Sequence, residues 1–481
     1  MSDSLAHIVL YLVVPILFVA MILYVFLHKD KQTSKDKKYQ VPFQLKYGQF
    51  KIQNVRRGVS VIGAAGSGKT ESVIYNLLQH FSKHQFCGII HDYKDFELTE
   101  IAYPLFKDSG INFYTIAFDK VHFRVNPIAP KYLPNEESVN EVSKVLIENL
   151  LEQNTSENKG ANKFFTDAVE GLLSGLIWKL RTSYPDQCTL PHLIALYQCI
   201  STKKLVVFLS SNLTSKSMAS AFINGIDSEK QTAGVKSTLA NALKKISSQK
   251  MFMVLSKDEV PLNINSKENP TVISLVNNPQ YESVYSPVIA LIIHTAIKQM
   301  SIRNHKTSFL LMEEAPTIKL PNMHRIPATL RSYDIATIYV MQDKIQNDML
   351  YGDKASKAIL SNLSYQFFGK ANDPDTAKYY ERFFEIVKNP TRSVSKGTGL
   401  SWEARVTKGE REVPKRRAEI FFRLKQGEFV AFADGNDKKL KFKLPDIKKR
   451  KPKRNKIYKA KELQFNFQRI YREVNMIVKG A

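Results

Sequence analysis

The chain has 481 residues, of which 43% are apolar, so its composition is that of a folded protein of about two to four domains and excludes a disordered chain. Seventy Lys and Arg against 45 Asp and Glu give a formal net charge of +25, which indicates a polyanionic partner; the alternative is a generally basic soluble surface. Cys87, Cys188 and Cys199 are widely spaced and form no CxxC pair, which argues against a disulfide framework or zinc site and fits a reducing compartment.

The first predicted element is a membrane span. Ile8–Leu27 is a run of 20 residues without a charge, which is long enough to cross a bilayer as a helix. A signal peptide is the alternative, but bulky and then charged residues follow the run, where small residues would mark a cleavage site. No Lys or Arg precedes the span and five lysines lie within Lys29–Lys38, so we expect a single-pass inner-membrane protein whose bulk is cytoplasmic.

A glycine-rich loop that fits phosphate binding comes next, in the stretch VIGAAGSGKTES at residues 61–72. It matches G-x-x-x-x-G-K-[ST], in which Lys69 reaches the phosphates and Thr70 ligates Mg²⁺. A strand before it and an amphipathic helix after it supply the required context; a plain glycine-rich turn is the alternative. The residues predicted to bind nucleotide are Gly63, Ala64, Ala65, Gly66, Ser67, Gly68, Lys69, Thr70 and Glu71.

Strands alternate with helices on both sides of a long helical stretch, which predicts a parallel α/β sheet with an all-helical insertion. The C-terminal stretch Lys438–Lys459 has twelve Lys and Arg and one acid, and is predicted to be a solvated basic tail. The expected organisation is a transmembrane anchor at 1–28, a charged linker at 29–42, a nucleotide-binding domain at 43–135 and 263–437, an all-α domain at 136–262, and the tail at 438–481.

Acidic residues follow one strand of the second half, in SFLLMEEAP. Glu313 is predicted to hold the Mg²⁺ shell and Glu314 to orient or deprotonate the attacking water. Adjacent strand residues point to opposite faces, so both carboxylates reach one site only where the chain bends at the strand's end. A surface acid pair is the alternative. Gln342, which ends the next strand, is suited to sensing the γ-phosphate without adding charge.

Together these motifs resemble those of type IV coupling proteins, the membrane-anchored TraG/TraD-like ATPases of bacterial conjugation, and most closely the Bacteroidetes mobilisation type. The phosphate loop, HDYKDFE, LLMEEAPTIKLP and ATLRSYDIATIYVMQD carry the resemblance, which covers about residues 45–435. It implies a RecA-like P-loop NTPase domain with an inserted all-α domain, ATP and Mg²⁺ as cofactors, and a homo-hexameric ring. It also implies that single-stranded DNA and its relaxase move toward a type IV secretion channel.

The resemblance assigns roles by residue: Lys69 and Thr70 to phosphate and Mg²⁺, Glu313 to the Walker B acid, Glu314 to the catalytic carboxylate, and Gln342 to the sensor. Asp92 and Lys94 match the family's D-x-K pattern, and Arg331 stands where the family places an arginine finger, with Arg325 a weaker candidate. An exposed helical arginine is the alternative for Arg331. Two features depart from the pattern: the Walker B acid is usually Asp, and many relatives have two transmembrane helices.

Two other functions remain open from the sequence. A chromosome-segregation type of DNA translocase shares the core, but usually has more membrane spans and a C-terminal winged helix. The second alternative is a membrane-bound adaptor that recruits a relaxase–DNA complex and hydrolyses ATP poorly. Glu313 in place of Asp favours this alternative.

Overall fold

The computed structural model describes residues 14–27, 37–151, 161–396, 404–454 and 456–480. Helix α1 spans Val14–Leu27. Within these ranges, no helix combines the length and the apolar character that crossing a membrane requires. The predicted span Ile8–Leu27 begins outside the described residues, so it stays a prediction.

Thirteen strands are described. In chain order they are β1 (Val41–Phe43), β2 (Phe50–Ile52), β3 (Val59–Ile62), β4 (Cys87–Asp92), β5 (Asn112–Ala117), β6 (Thr271–Val276), β7 (Ser308–Met312), β8 (Ile335–Met341), β9 (Tyr365–Phe368), β10 (Ile386–Lys396), β11 (Ala404–Pro414), β12 (Glu428–Ala433) and β13 (Asn436–Lys441). Nine of them form one sheet in the order β13-β12-β9-β3-β8-β7-β4-β6-β5. The seven strands from β9 to β5 are parallel, and β12 and β13 add an antiparallel edge.

The remaining helices fill the connections and the insertion. They are α2 (Tyr75–Lys83), α3 (Glu97–Phe106), α4 (Glu136–Leu150), α5 (Ala161–Ser183), α6 (Leu190–Cys199), α7 (Thr202–Ser210), α8 (Leu213–Met218), α9 (Ser220–Asn224), α10 (Glu229–Lys245), α11 (Gln249–Leu255), α12 (Glu282–Met300), α13 (Ile326–Arg331), α14 (Lys344–Tyr351), α15 (Asp353–Ser361), α16 (Pro374–Glu381), α17 (Ala418–Phe422) and α18 (Ala460–Gly480). The predicted mixed α/β class with a large central sheet is confirmed.

The sheet is apolar on both faces, as a parallel sheet covered on two sides must be. Strand β8 shows this directly, because Ala336, Ile338 and Val340 lie in one hydrophobic cluster while Tyr339 and Met341 lie in the other. The first cluster also includes residues of α2 and α3, and the second is continuous with the helices of the insertion. The two cores cover both faces of the sheet, so polar residues that could form a site are expected at the ends of its strands.

The described residues between 136 and 262 form eight α-helices and no strand. Helix α4 packs against α12, which joins the helical part to the sheet. A long antiparallel hairpin, β10 with β11, pairs Ile386 with Pro414 at its base. This hairpin is not among the elements predicted from the sequence. Among its residues whose exposure is described, 386–391 and 409–414, Val413 is the only buried one, so the apolar alternation that would mark a strand is weak there.

The prediction of a basic tail at 438–481 is wrong for much of that range. Residues 438–441 belong to β13, an edge strand whose lysines face solvent while Leu440 is buried, and charged edge strands resist pairing with other chains. Helix α18 then packs on α6 and α11. Its buried Ile470, Val474 and Ile477 repeat every three or four residues, a helical pattern that the charge count obscured.

Candidate active site

The polar residues predicted to act together follow parallel strands that end at one edge of the sheet. Ile62 of β3 is in register with Met341 of β8, and Met312 of β7 is in register with both His91 of β4 and Tyr339 of β8. Ligands of open α/β sheets bind outside the carboxyl ends of the strands. The sheet therefore places the phosphate loop, the acid pair and Gln342 at the usual location of a binding site.

The phosphate loop has a conformation that only glycine tolerates well. Gly68 has φ +85°, and a Cβ there would lie 3.0 Å from the backbone nitrogen of Gly427. A Cβ added at Gly66, where φ is +75°, would meet no atom of the described residues within 4 Å, so the backbone conformation alone favours glycine there. A π-helical turn, Thr70–Ile74, leads from the loop into α2, so the helix begins directly under the loop. Oriented amides and a helix N-terminus together favour an anion.

Lys69 lies inside the loop that it is predicted to serve. Its Nζ donates a hydrogen bond of 2.6 Å to the carbonyl oxygen of Gly63. Burial lowers the pKa of Lys69, while the charge of Glu314 opposes that shift. Ser67, next to it, has a buried Oγ without a hydrogen-bond partner within the described part of the chain. A buried ammonium and an unpaired hydroxyl are groups that a phosphate would satisfy.

Glu313 and Glu314 reach the same cation although they are adjacent in sequence. Glu314 has φ +44°, a left-handed conformation that bends the chain where β7 ends. As a result Lys94 Nζ lies 3.5 Å from Oε1 of each carboxylate. Both side chains are almost fully buried, with 2% of each residue exposed. The bend required for the two acids to share a site is present.

The ionisation of Glu313 is strongly perturbed by its burial. Burial raises its pKa from an ordinary value near 4.5 to about 8, and the nearby charge of Asp92 acts in the same direction. Lys94 opposes that shift, and Glu313 Oε2 also accepts a hydrogen bond of 3.3 Å from the backbone of Tyr93. A buried carboxyl of this kind takes up a proton unless a cation is bound beside it.

The side chain of Gln342 contacts Glu314, the second residue of the acid pair. Its Nε2 donates a hydrogen bond of 3.0 Å to Oε1 of Glu314. An ionised carboxylate only accepts, so the bond fixes the amide with its nitrogen toward Glu314. Within the described residues the Gln342 side chain makes no other hydrogen bond, so its amide oxygen and second N–H are available for a ligand.

Asp92 has a different role from its neighbour Lys94. Its carboxylate accepts hydrogen bonds from the backbone nitrogen and the hydroxyl of Thr99, at 2.7 and 2.5 Å. Burial raises the pKa of Asp92 to about 6, and the bonds from Thr99 oppose the shift. Asp92 therefore ties the end of β4 to α3 and so positions the loop that carries Lys94.

Arg331 does not join this cluster within one chain. It is the exposed last residue of α13, just before β8 begins at Ile335, whereas Gln342 follows the other end of that strand. Seven strand residues rise about 23 Å, so the two side chains lie at opposite edges of the sheet. Arg325, the exposed N-cap residue of the same short helix, also lies away from the cluster.

Two segments that the sequence analysis missed frame the phosphate loop. The backbone nitrogen of Gly427 donates to the Ser67 carbonyl at 3.0 Å, and that of Ala64 donates to the Lys370 carbonyl at 2.7 Å. Lys370 is exposed beside the loop, so it adds a cation at the rim. Both contacts join residues about 300 or more positions apart, and no local sequence pattern indicates them.

Comparison with known proteins matches this architecture. The chain resembles the bacterial conjugative coupling protein TrwBdeltaN70 with 13% identity and a TM-score of 0.66, over 85% of this chain and 90% of the other. It resembles plasmid coupling protein TrwB in complex with ADP and Mg²⁺ with 12% identity and a TM-score of 0.63, over 82% and 87% of the two chains. VirB4 of Thermoanaerobacter pseudethanolicus has 12% identity and a TM-score of 0.52, over 85% and 96%.

At these identities the structures establish the fold alone, and no curated protein matches the sequence significantly. The sequence family described as "Type IV secretory system Conjugative DNA transfer" matches residues 21–401, which is most of the chain. The resemblance to type IV coupling proteins is thereby confirmed at the level of the family: the chain belongs to the type IV secretory system conjugative DNA transfer family.

Proposed function

We propose that the protein is an ATPase with a RecA-like P-loop domain, and that hydrolysis drives single-stranded DNA with its relaxase toward a type IV secretion channel. The observation that carries the proposal is the convergence of Lys69, Glu313, Glu314 and Gln342 at one edge of the sheet. Family membership in conjugative DNA transfer supplies the process in which such a motor acts. It favours conjugation over chromosome segregation.

The residues present fit ATP and Mg²⁺. Lys69 and the loop amides would bind the phosphates, while the Thr70 hydroxyl and the Glu313 carboxylate supply the hard oxygen ligands that Mg²⁺ prefers. Mg²⁺ would neutralise charge on the phosphates. The TrwB structures with ADP and Mg²⁺ and with ATP and GTP analogues show that proteins of this fold hold these ligands.

Glu314 is the proposed catalytic carboxylate. Its Oε1 is held by Gln342 on one side and Lys94 on the other, which leaves Oε2 to orient a water molecule. Gln342 contacts that carboxylate and would also contact the γ-phosphate through its free amide groups. Binding of the γ-phosphate would in this way be coupled to the position of the base.

Arg331 is proposed to act between subunits. Its distance from its own chain's Gln342 excludes it from the same site, whereas in a homo-hexameric ring it would enter the site of a neighbour. Among the described residues, Arg331 has no ion-pair partner. A guanidinium that is exposed and unpaired at an edge of the sheet is what an arginine finger acting in trans requires.

Membrane anchoring is proposed from the N-terminal residues. Large apolar side chains of α1 are half exposed, among them Ile16, Leu17 and Met21 at 59–62%. Such a helix surface in water is unfavourable, and it continues the uncharged run that starts at Ile8. The proposal places a short N-terminus outside the inner membrane and residues after Leu27 in the cytoplasm.

A weakly hydrolysing recruitment adaptor is the second candidate, because the raised pKa of Glu313 disfavours its ionised form in the absence of a cation. Transfer frequency separates the two functions. If hydrolysis is the driving step, the Glu314→Gln protein should bind DNA and relaxase normally. Donor cells in which this variant replaces the wild-type protein should nevertheless lose DNA transfer. Transfer at wild-type frequency from this variant would support the adaptor.

A further inference from the structure

A groove with no assigned role lies at the edge of the sheet opposite the phosphate loop. Its volume is about 890 Å³, within the range of small-molecule sites. It is bounded by the chain before and within the β1–β2 hairpin, by α2 and by the end of α3. The lining residues used below are Lys37, Lys51, Lys83, Gln40, Gln44 and Phe43.

The groove is cationic. Lys37, Lys51 and Lys83 are exposed at its rim, and none has a carboxylate within ion-pair distance in the described part of the chain. No Asp or Glu is among the described residues that line it. A smaller neighbouring cavity of about 410 Å³ shares Lys83 and includes one carboxylate, Asp108. Over both cavities three lysines therefore face one acid.

The floor of the groove is apolar and its wall is lined with amides. Phe43 is buried beneath it, and Leu105 closes one end. Gln44 holds the wall in place, since its backbone nitrogen donates to Asn76 at 3.1 Å and its Nε2 donates to Gln79 at 3.3 Å. Lys51 Nζ donates to Gln40 at 3.4 Å, an exposed contact that a stronger acceptor would replace.

The position of the groove limits what can occupy it. Lys37 is ten residues after Leu27, the last residue of the proposed membrane span, and a chain of ten residues reaches at most about 35 Å. With the proposed span in the membrane, Lys37 and the groove rim would therefore lie within about 35 Å of the bilayer surface. Juxtamembrane lysines attract anionic lipids, and an apolar floor beside them suits the glycerol and first acyl carbons.

We infer that this groove binds the phosphate-bearing headgroup of an anionic phospholipid. The inference rests on the membrane anchor of the proposed function. The bound headgroup would fix the sheet's orientation relative to the membrane, with the phosphate loop on the far side. Single-stranded DNA and free phosphate share the charge of the ligand but not its apolar part.

The test is lipid binding by the full chain in neutral detergent, where binding does not depend on membrane insertion. Native mass spectrometry would count phosphatidylglycerol bound during a titration, with phosphatidylcholine as the neutral lipid. We expect one phosphatidylglycerol bound at least tenfold more tightly than phosphatidylcholine. The variant Lys51→Gln/Lys83→Gln should bind about 25-fold more weakly, since each lysine near an anionic headgroup contributes a factor of about five.

The control Lys203→Gln/Lys230→Gln removes the same charge from exposed sites on the helical insertion and should bind like the wild type. Equal phosphatidylglycerol affinity in all three proteins would overturn the inference. So would displacement of the lipid by a single-stranded oligonucleotide whose affinity depends on Lys51 and Lys83. Inorganic phosphate at millimolar concentration should compete only weakly, and full competition would identify a plain phosphate site instead.

Failure of the anchor is recognised separately, by alkaline extraction of the chain from membranes. A chain that resists extraction but lacks the lipid preference contradicts the groove inference alone. A chain that is extracted while the lysine-dependent preference persists contradicts the anchor and leaves the groove as a lipid site.

Discussion

Gln342 and Glu314 are joined by a hydrogen bond of 3.0 Å across the ends of two neighbouring parallel strands. The bond links the group proposed to sense the γ-phosphate to the group proposed to orient water. Because Glu314 sits in a left-handed bend, its side chain leaves the strand in the direction of Gln342 rather than toward the opposite face of the sheet.

Gln342→Glu should slow hydrolysis without preventing nucleotide binding. A second carboxylate against Glu314 would repel its ionised form and remove the donated bond, so we expect steady-state ATP turnover to fall on the order of 10²-fold. Binding of a fluorescent ATP analogue should change little. Gln346→Glu, on the exposed face of α14, is the matched control. Equal turnover in both variants would remove Gln342 from the site.

Glu313 should make the stability of the nucleotide-free protein depend on pH. Its pKa is raised on folding, so its contribution to stability is present below pH 4.5 and is lost as pH rises toward about 8, with a slope of up to about 1.4 kcal/mol per pH unit. Urea unfolding from pH 6.5 to 8 avoids most of the titration of Asp92, whose pKa is about 6. Glu313→Gln should flatten the slope in that interval.

The same proton should compete with Mg²⁺. Affinity for ATP with Mg²⁺ is therefore expected to rise from pH 6.5 to 8 in the wild type, and not in Glu313→Gln. Glu313→Asp retains a carboxylate and should keep hydrolysis within about tenfold of the wild type, because the second acid is untouched. A wild-type protein whose stability and Mg²⁺ affinity are both independent of pH would contradict the account of Glu313.

Arg331→Ala should bind ATP yet hydrolyse it at least about 10³-fold more slowly, if the guanidinium completes a neighbour's site. Mixing Arg331→Ala with Glu314→Gln subunits should restore part of the turnover, because some sites then combine an intact Glu314 with an intact Arg331. Arg325→Ala is the control on the same helix. Normal hydrolysis by Arg331→Ala alone, with no rescue on mixing, would place the trans-acting group elsewhere.

The basic segment after β13 offers a test of DNA binding that leaves α18 in place. Lys448, Lys449 and Lys453 are exposed, and within the described residues none of them has an ion-pair partner. Changing all three to Gln should weaken single-stranded DNA binding. It should also reduce the magnitude of the slope of log K against log salt by about 2, because each phosphate contact on a single strand contributes about 0.7. Lys203→Gln/Lys230→Gln/Lys250→Gln removes equal charge from the insertion. The same reduction in both variants would indicate general basicity.

The closeness of the phosphate loop, the acid pair and Gln342 is predictable from the sequence because these residues follow recognisable strands, whereas their roles stay predictions. The phosphate loop is a contiguous motif, and Glu313 and Gln342 each follow a short, largely apolar run that is typical of a buried strand. The two acids can share one site only if the chain bends after β7. The left-handed conformation of Glu314 provides that bend, but it cannot be predicted from the sequence, because glutamate does not favour a positive φ.

Two kinds of feature could not be predicted from the sequence: contacts between residues far apart in the chain, and secondary structure within a strongly basic segment. Gly427, just before β12, and Lys370, just after β9, border the phosphate loop through backbone hydrogen bonds, and such pairings between distant residues cannot be predicted without the fold. The many lysines and arginines of the C-terminal segment predict a solvated tail, but Leu440 pairs into the sheet edge and α18 has a buried face. Net charge describes solubility and partners, and it does not decide secondary structure.

Hydrolysis at this site is proposed to be coupled to single-stranded DNA, and ATP turnover measured with and without DNA tests that coupling. The full-length protein should hydrolyse ATP faster when single-stranded DNA is added. Lys69→Ala should abolish both the basal and the stimulated rate while DNA binding and the far-ultraviolet circular dichroism spectrum stay unchanged, because only the phosphate-facing charge is lost. Turnover in Lys69→Ala equal to that of the wild type, or wild-type turnover that does not respond to DNA, would contradict the account.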